Sequence, residues 1–170
     1  MPRYVALLRG VSPQNASMPA LKACFESAGF ARSAPCCPAG TWFDADRQSD
    51  RALETLAEAC MMQALGRNFY TIVRSADELR QLLAADLYAE HGIPPEAKRV
   101  VSFFREPVVP RVSLPLAQDM ASVFLVRGRE AYTAYLPGDK GPVFMNLIER
   151  AFGKDVTTRT LDTVAKCAAA

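Results

Sequence analysis

Short apolar runs of strand length alternate with helical stripes along this chain, and nearly the same order of elements is spelled twice. That alternation constrains the fold more than any single residue, because strand faces and helical stripes must cover one another to leave water. Tyr4 to Leu8 is the first run, apolar throughout and suited to a central strand buried on both faces. Ser17 is placed to N-cap a helix with Pro19 in its first turn, where the missing N–H costs nothing. Leu21, Cys24, Phe25 and Ala28 come next at helical spacing, and Gly29 ends the helix. Residues 31–36 and 41–45 read as two short strands around a turn punctuated by Pro35, Pro38 and Gly40. A second helix is predicted from Asp50, with Leu53, Leu56, Ala57, Cys60, Met61 and Ala64 on one face and Gly66 closing it. Phe69 to Val73 is aromatic and β-branched, a strand signal, and Ser75-x-x-Glu78 is a capping box that opens a third helix to about Ala85.

The segment Glu90-His91-Gly92-Ile93-Pro94-Pro95 breaks regular structure and is the expected linker. Beyond it, Arg99 to Phe104 reads as a strand, and Pro107, Pro110 and Pro115 leave room for at most a short helix near residues 115–120. Ser122 to Val126 and Ala131 to Leu136 form a hairpin around Arg127-Gly128-Arg129. Pro142 opens a last helix whose core face is Phe144, Leu147, Ile148, Ala151 and Phe152, and Gly153 stops it. The residues after Gly153 read as a tail. The expectation is an α+β protein of two small ferredoxin-like units, each an antiparallel sheet backed by helices. The boundaries fall at 1–88 and 97–170, with a linker at about 89–96.

Composition narrows the function classes. Half of the 170 residues are apolar and 22% are charged, an ordinary globular balance rather than that of a disordered chain. The net charge is +2; residues 1–95 hold nine basic and ten acidic side chains and residues 96–170 eleven and eight. That mild asymmetry describes a solvated surface and argues against a nucleic-acid partner, as does F-Y-T-I-V, which is no nucleic-acid-binding strand signature. No apolar run approaches the roughly 20 residues that span a bilayer, so no membrane partner is expected. Arg9 interrupts the opening apolar run before a signal-peptide core can form, which predicts a cytoplasmic protein with reduced thiols.

Six segments carry a family resemblance: Y-V-A-L-L-R-G at 4–10, M-x-x-L-x-x-x-F-E-x-x-G-F at 18–30, A-G-T-W-F at 39–43, Val73 to Leu79, Leu147 to Gly153, and Thr158 to Lys166. Through them the chain resembles, over nearly its whole length, the bacterial family called domain of unknown function 1697. The resemblance implies an α+β fold of ferredoxin-like character and implies no activity. The family's most specific motifs are an opening L-L-R-G-I-N-V-G-G and a later S-G-N-V-x-F. Here Ser12 stands for the first asparagine, Pro13-Gln14-Asn15 for the glycine pair after it, and Ala39-Gly40-Thr41 for the S-G-N triplet. A closing R-N-x-N-T becomes Arg159-Thr160-Leu161-Asp162-Thr163. Polar side chains have thinned at each motif.

Catalytic signals are sparse. His91 is the sole histidine and lies in the expected linker, so no Ser/His/Asp or Cys/His arrangement is supported. Cys24 and Cys60 fall on buried helical stripes, where cysteine acts as a small hydrophobe. Cys36 and Cys37 occupy a proline-flanked turn, and reactivity there requires a depressed pKa. The five cysteines show no C-x-x-C spacing, and Asp44 and Asp46 read as turn residues; no metal site and no cofactor are expected. The expected ligand site is the loop after the first strand. Antiparallel β-α-β-β-α-β order places Arg9, Gly10, Ser12 and Asn15 beside the turn that carries Thr41, with the first helix starting nearby and favouring an anion. The leading expectation is therefore a binding module for a small anionic ligand or a partner. The alternatives are an enzyme acting through the same loop and a weak nucleic-acid-binding module, and the missing general base favours the binder.

Overall fold

The computed structural model describes residues 1–138 and 142–170, and it is α+β, with two antiparallel sheets backed by helices. The chain divides into two compact units. The first comprises Met1–Ala84 and Thr163–Ala170, the second Ala85–Asp162. Residues 89–96, expected as a linker, lie inside the second unit, and the last helix returns to the first.

In the first unit, β1 (Arg3–Leu8), α1 (Met18–Ser27), β2 (Arg32–Cys37), β3 (Gly40–Asp44), α2 (Asp50–Leu65), β4 (Thr71–Ser75) and α3 (Ala76–Ala85) succeed one another in chain order. The sheet order is β2-β3-β1-β4, which makes β1 central. Its apolar run now has a physical account. Tyr4, Ala6 and Leu8 alternate onto the core shared with α1 and α2, while Val5 and Leu7 are buried on the opposite face. Leu21, Cys24 and Phe25 of α1 and Leu53, Ala57, Cys60 and Met61 of α2 close that core. An aromatic stack runs through it, with the ring of Phe43 4.2 Å from Phe30, 5.9 Å from Phe25 and 5.7 Å from Tyr4. Cys24 and Cys60 are disulfide-bonded, their Cα atoms 6.1 Å apart, so the expectation of reduced thiols throughout does not hold at this pair. Facing stripes of two packed helices bring the sulfurs together, a coincidence that spacing along the chain cannot disclose.

Local caps explain the element ends. Ser17 Oγ accepts from the Ala20 N–H at 3.2 Å, and Ser49 Oγ accepts from Ala52 at 3.1 Å. Gly66 terminates α2 at φ 68°, a left-handed position that a side chain would strain. The capping box is present: the Ser75 N–H donates to Glu78 Oε2 at 2.8 Å, and the Glu78 N–H donates to Ser75 Oγ at 3.1 Å. The strand before it begins at Thr71 rather than Phe69, because pairing with β1 starts at Leu8 opposite Thr71.

The second unit contains α4 (Leu87–Glu90), β5 (Lys98–Phe103), β6 (Leu116–Gln118), β7 (Ala121–Arg127), β8 (Glu130–Tyr135), α5 (Val143–Phe152) and β9 (Thr157–Thr160). Its sheet order is β6-β7-β8-β5-β9. Leu147, Ile148, Ala151 and Phe152 of α5 pack on Ala121, Val123 and Ala131 of the hairpin and on Phe104. The short helix expected near 115–120 is instead the edge strand β6, because Leu116, Ala117 and Gln118 pair with Val123, Ser122 and Ala121. The expected tail is ordered as β9 and α6 (Leu161–Ala169). Four polar-looking residues, Thr-Thr-Arg-Thr, make a strand there because β5 offers an open edge to Thr157 through Thr160.

Candidate functional site

Of the five residues expected to hold a ligand, Arg9, Gly10, Ser12 and Asn15 lie in the loop after β1 and Thr41 lies on β3. Leu7 faces Gly40 and Ala6 faces Thr41 across the β1–β3 ladder, so Arg9 and Gly10 adjoin the β2–β3 turn. The Leu8 N–H donates to Ala39 O at 2.8 Å, and the Arg9 N–H donates to Tyr70 O at 2.9 Å. The five residues therefore converge on one end of the sheet, but their side chains are differently employed. Asn15 pins the loop itself: its Oδ1 accepts from the Ser12 N–H and its Nδ2 donates to Gly10 O, both at 2.8 Å. Thr41 is buried in the sheet, out of reach of a ligand from solvent. Arg9 and Gly10 are exposed. The Ser17 hydroxyl is engaged as the cap of α1. The loop thus presents to solvent one arginine and a closed hydrogen-bonded turn.

A second place was not foreseen from the sequence. A cleft of about 490 Å3 in the second unit is lined by Glu96, Lys98, Arg99, Tyr135, Thr160 and Asp162 among others. The start of β5 brings the two cations, the end of β8 brings the tyrosine, and the β9–α6 junction brings Thr160 and Asp162. Arg99 lies over the Tyr88 ring, 5.7 Å from its centroid, and among the described residues its Nε has no hydrogen-bond partner. Tyr88 is held in turn by donating its hydroxyl to Val100 O at 2.5 Å, and burial pushes its pKa far up, so it stays a neutral donor. The Tyr132 hydroxyl is pushed up to about 12, chiefly by burial. The signal that could have revealed the cleft was Thr157–Thr160, had its β-branched threonines been read as a strand.

Other candidates resolve into structure. The ring of His91 hydrogen-bonds Leu87 O through Nδ1 at 2.9 Å and packs 5.1 Å from Phe124. Asp44 is a buried strand residue rather than a turn residue. Arg3 Nε donates to Oδ1 at 2.8 Å, and Arg32 Nε donates to Oδ2 at 2.8 Å. The hydrogen bond from Arg3 holds the Asp44 carboxyl below the usual range; burial opposes that shift and Arg32 reinforces it. Asp46 stays exposed. At the β2–β3 turn the Cys36 Sγ lies 3.0 Å from that of Cys167. The Cys36 thiol is pushed strongly up by its hydrogen bonds with Cys167 and Cys37 and then by burial, the reverse of an activated nucleophile.

Comparison with known proteins fits this picture of an architecture without a recognised chemistry. The family described as protein of unknown function (DUF1697) matches residues 1–132. The chain belongs to the DUF1697 family. No curated protein matches it. The DUF1697 chain is also similar to a solved structure described as the conserved bacterial protein SP0830 from Streptococcus pneumoniae, with a TM-score of 0.72. The two share 14% identity, over 99% of this chain and 97% of that one, and likeness at that identity extends to the fold alone. Among the described residues, no helix of this DUF1697 protein is long and apolar enough to cross a membrane.

Proposed function

We propose that the protein is a cytoplasmic binding module for a small anionic metabolite, that it performs no chemistry on it, and that the ligand sits in the cleft of the second unit. The observation that carries this reading is that Lys98, Arg99 and Thr160 line the wall of one cleft. Two cations and a hydroxyl suit a phosphate or carboxylate, and a guanidinium braced by an aromatic ring loses little freedom on binding. Glu96 and Asp162 line the same cleft, so the best-fitting ligand carries hydroxyl or amine donors beside its anionic group. The loop after β1 supports the reading less, because Asn15 and Thr41 are engaged or buried there. His91, the sole histidine, is not among the residues that line this cleft, so the cleft has no imidazole to act as a general base, which weighs against the enzymatic alternative there.

Thermal-shift titration with phosphate, citrate, phosphorylated sugars, phosphoserine and nucleotides tests the proposal. A ligand at a hundred times its Kd adds about 2.7 kcal/mol of stability. Lys98→Ala and Arg99→Ala should abolish that gain, while Arg9→Ala should keep it. Stabilisation lost in Arg9→Ala but retained in Lys98→Ala would move the site to the first loop. Turnover of the stabilising compound would replace the binding module with an enzyme, and no stabilisation by any of the anions would end the proposal.

A further inference from the structure

We propose that Cys36, Cys37 and Cys167 form a binding site for one thiophilic d10 metal ion, Zn(II) or Cu(I), in the first unit. The site is separate from the cleft of the second unit and does not rest on it. All three sulfurs lie within 4.8 Å of one another, with Cys36 and Cys167 3.0 Å apart. With Zn–S bonds of about 2.3 Å, thiolates on a tetrahedral ion stand about 3.8 Å from each other. The 3.0 Å separation of Cys36 and Cys167 and the 4.8 Å limit on the trio place the sulfurs within about 1 Å of that spacing. Small side-chain rotations would therefore bring them onto one ion, without moving the backbone.

Two features of the fold assemble the trio. Adjacent residues of a regular strand point to opposite faces, which would separate Cys36 from Cys37. The pairing of β2 with β3 shifts register between Pro35 and Cys37, and this irregularity lets both sulfurs gather on one side. Helix α6 then delivers the buried Cys167, 131 residues away in sequence from Cys36. The second feature is Gly40. A Cβ at that position would stand 2.5 Å from Cys37 Sγ and 3.4 Å from Cys36 Sγ. A glycine is what leaves room for two sulfurs against the strand backbone.

The chemistry is self-consistent. Three neighbouring thiols suppress one another's ionisation, and a bound cation reverses that by stabilising the thiolates. Each ion bound displaces up to three thiol protons to solvent. Thiolate ligands select soft or borderline ions over Mg(II) and Ca(II). Three protein sulfurs leave a fourth tetrahedral position open to water or an exogenous ligand.

The test titrates full-length, fully reduced, chelator-treated protein with Cd(II) as the spectroscopic probe and with Zn(II) against a chromophoric chelator. The expected result is one ion per chain, a sulfur-to-cadmium charge-transfer band, proton release and a raised melting temperature. Loss even of an outer-shell partner can cost up to about 100-fold in metal affinity. Cys36→Ser, Cys37→Ser and Cys167→Ser should each lower Cd(II) affinity at least that far while the apo proteins keep the wild-type far-ultraviolet circular dichroism. Gly40→Ala keeps all three ligands yet should weaken binding, a result that a mere packing role for the cysteines does not predict. A Cys24→Ala/Cys60→Ala double variant should still bind one Cd(II). Absence of a stoichiometric band in the wild type, or a band that survives Cys167→Ser, would overturn the site. Should Cys167→Ser fail to fold, Cys36→Ser and Gly40→Ala decide by the same readout.

Discussion

At the scale of single residues, Asp44 shows how a strand is held at its end. Its register partner Arg3 on β1 and its other neighbour Arg32 on β2 clamp one carboxylate from both sides, and Arg3 also lies 3.9 Å from the ring centroid of Trp42. The carboxyl is 4% exposed, whereas Arg3 and Arg32 are 28% and 69% exposed, so solvent screening limits what the pair contributes. Asp44→Asn should cost about 1–2 kcal/mol, the range for hydrogen bonds to charged groups after that screening. The depressed carboxyl sets the sign with pH. Stability from Asp44 is complete above its ordinary value of 3.8 and is lost as pH falls through the lower value it has in the folded protein. Acid denaturation monitored by fluorescence of Trp42, the sole tryptophan, should be shallower in Asp44→Asn than in the wild type. Identical acid profiles would show that the clamp is idle. The sequence displayed Asp44 and Asp46 as an alternating pair, and nothing local distinguishes the buried one from the exposed one. The distinction depends on Arg3, 41 residues away.

At the scale of elements, most strands and helices were legible because they are set by short-range causes: alternation in β1, capping serines on α1 and α2, the capping box before α3, and the Gly128 hairpin of β7 and β8. The elements that were not legible are those set by a partner. β6 is only three residues long and β9 is polar, and each exists because a neighbouring strand offers its edge. The same long-range logic protects β4, an edge of the first sheet. Glu54 on α2 reaches across so that its Oε1 accepts the Val73 N–H at 3.1 Å, and Arg51 lies 3.7 Å from its other oxygen. A buried glutamate thus closes a ladder that would otherwise invite another strand. Glu54→Ala should cost about 1–3 kcal/mol, the penalty for an orphaned buried donor, and should raise the aggregation rate on heating. Glu54→Gln keeps an acceptor in place and should recover much of the loss. Light scattering during thermal unfolding checks this, and equal scattering for Glu54→Ala and the wild type would contradict the edge-closing role.

At the scale of the molecule, the two units share a strand order that element counting alone only hinted at. With β5, β7, β8 and β9 set against β1, β2, β3 and β4, the sheet β7-β8-β5-β9 repeats β2-β3-β1-β4, and β6 extends the second sheet where the first ends. The likeness reaches single hydrogen bonds: Arg74 Nη1 donates to Val73 O and Arg159 Nη1 donates to Thr158 O, both at 2.9 Å, each just before a helix. Reading the chain as consecutive halves hid one consequence, that residues 163–170 belong with the first unit. Val164, Cys167 and Ala168 are buried, and Arg3 Nη1 donates to Ala170 O at 2.8 Å. Burying three such side chains is worth about 3–5 kcal/mol on an area basis, a large share of the stability of a small unit. A chain ending at residue 162 should therefore unfold its first unit at markedly lower denaturant, as reported by Trp42. It should also expose Cys36 and Cys37, half-buried in the whole chain, to rapid labelling by a soluble thiol reagent. Val164→Ala, which keeps the helix but removes two buried methyl groups, should lose about 2 kcal/mol. If the shortened chain melts with the wild type and its turn cysteines label no faster, then the terminal helix is an appendage, and the first unit is complete without it.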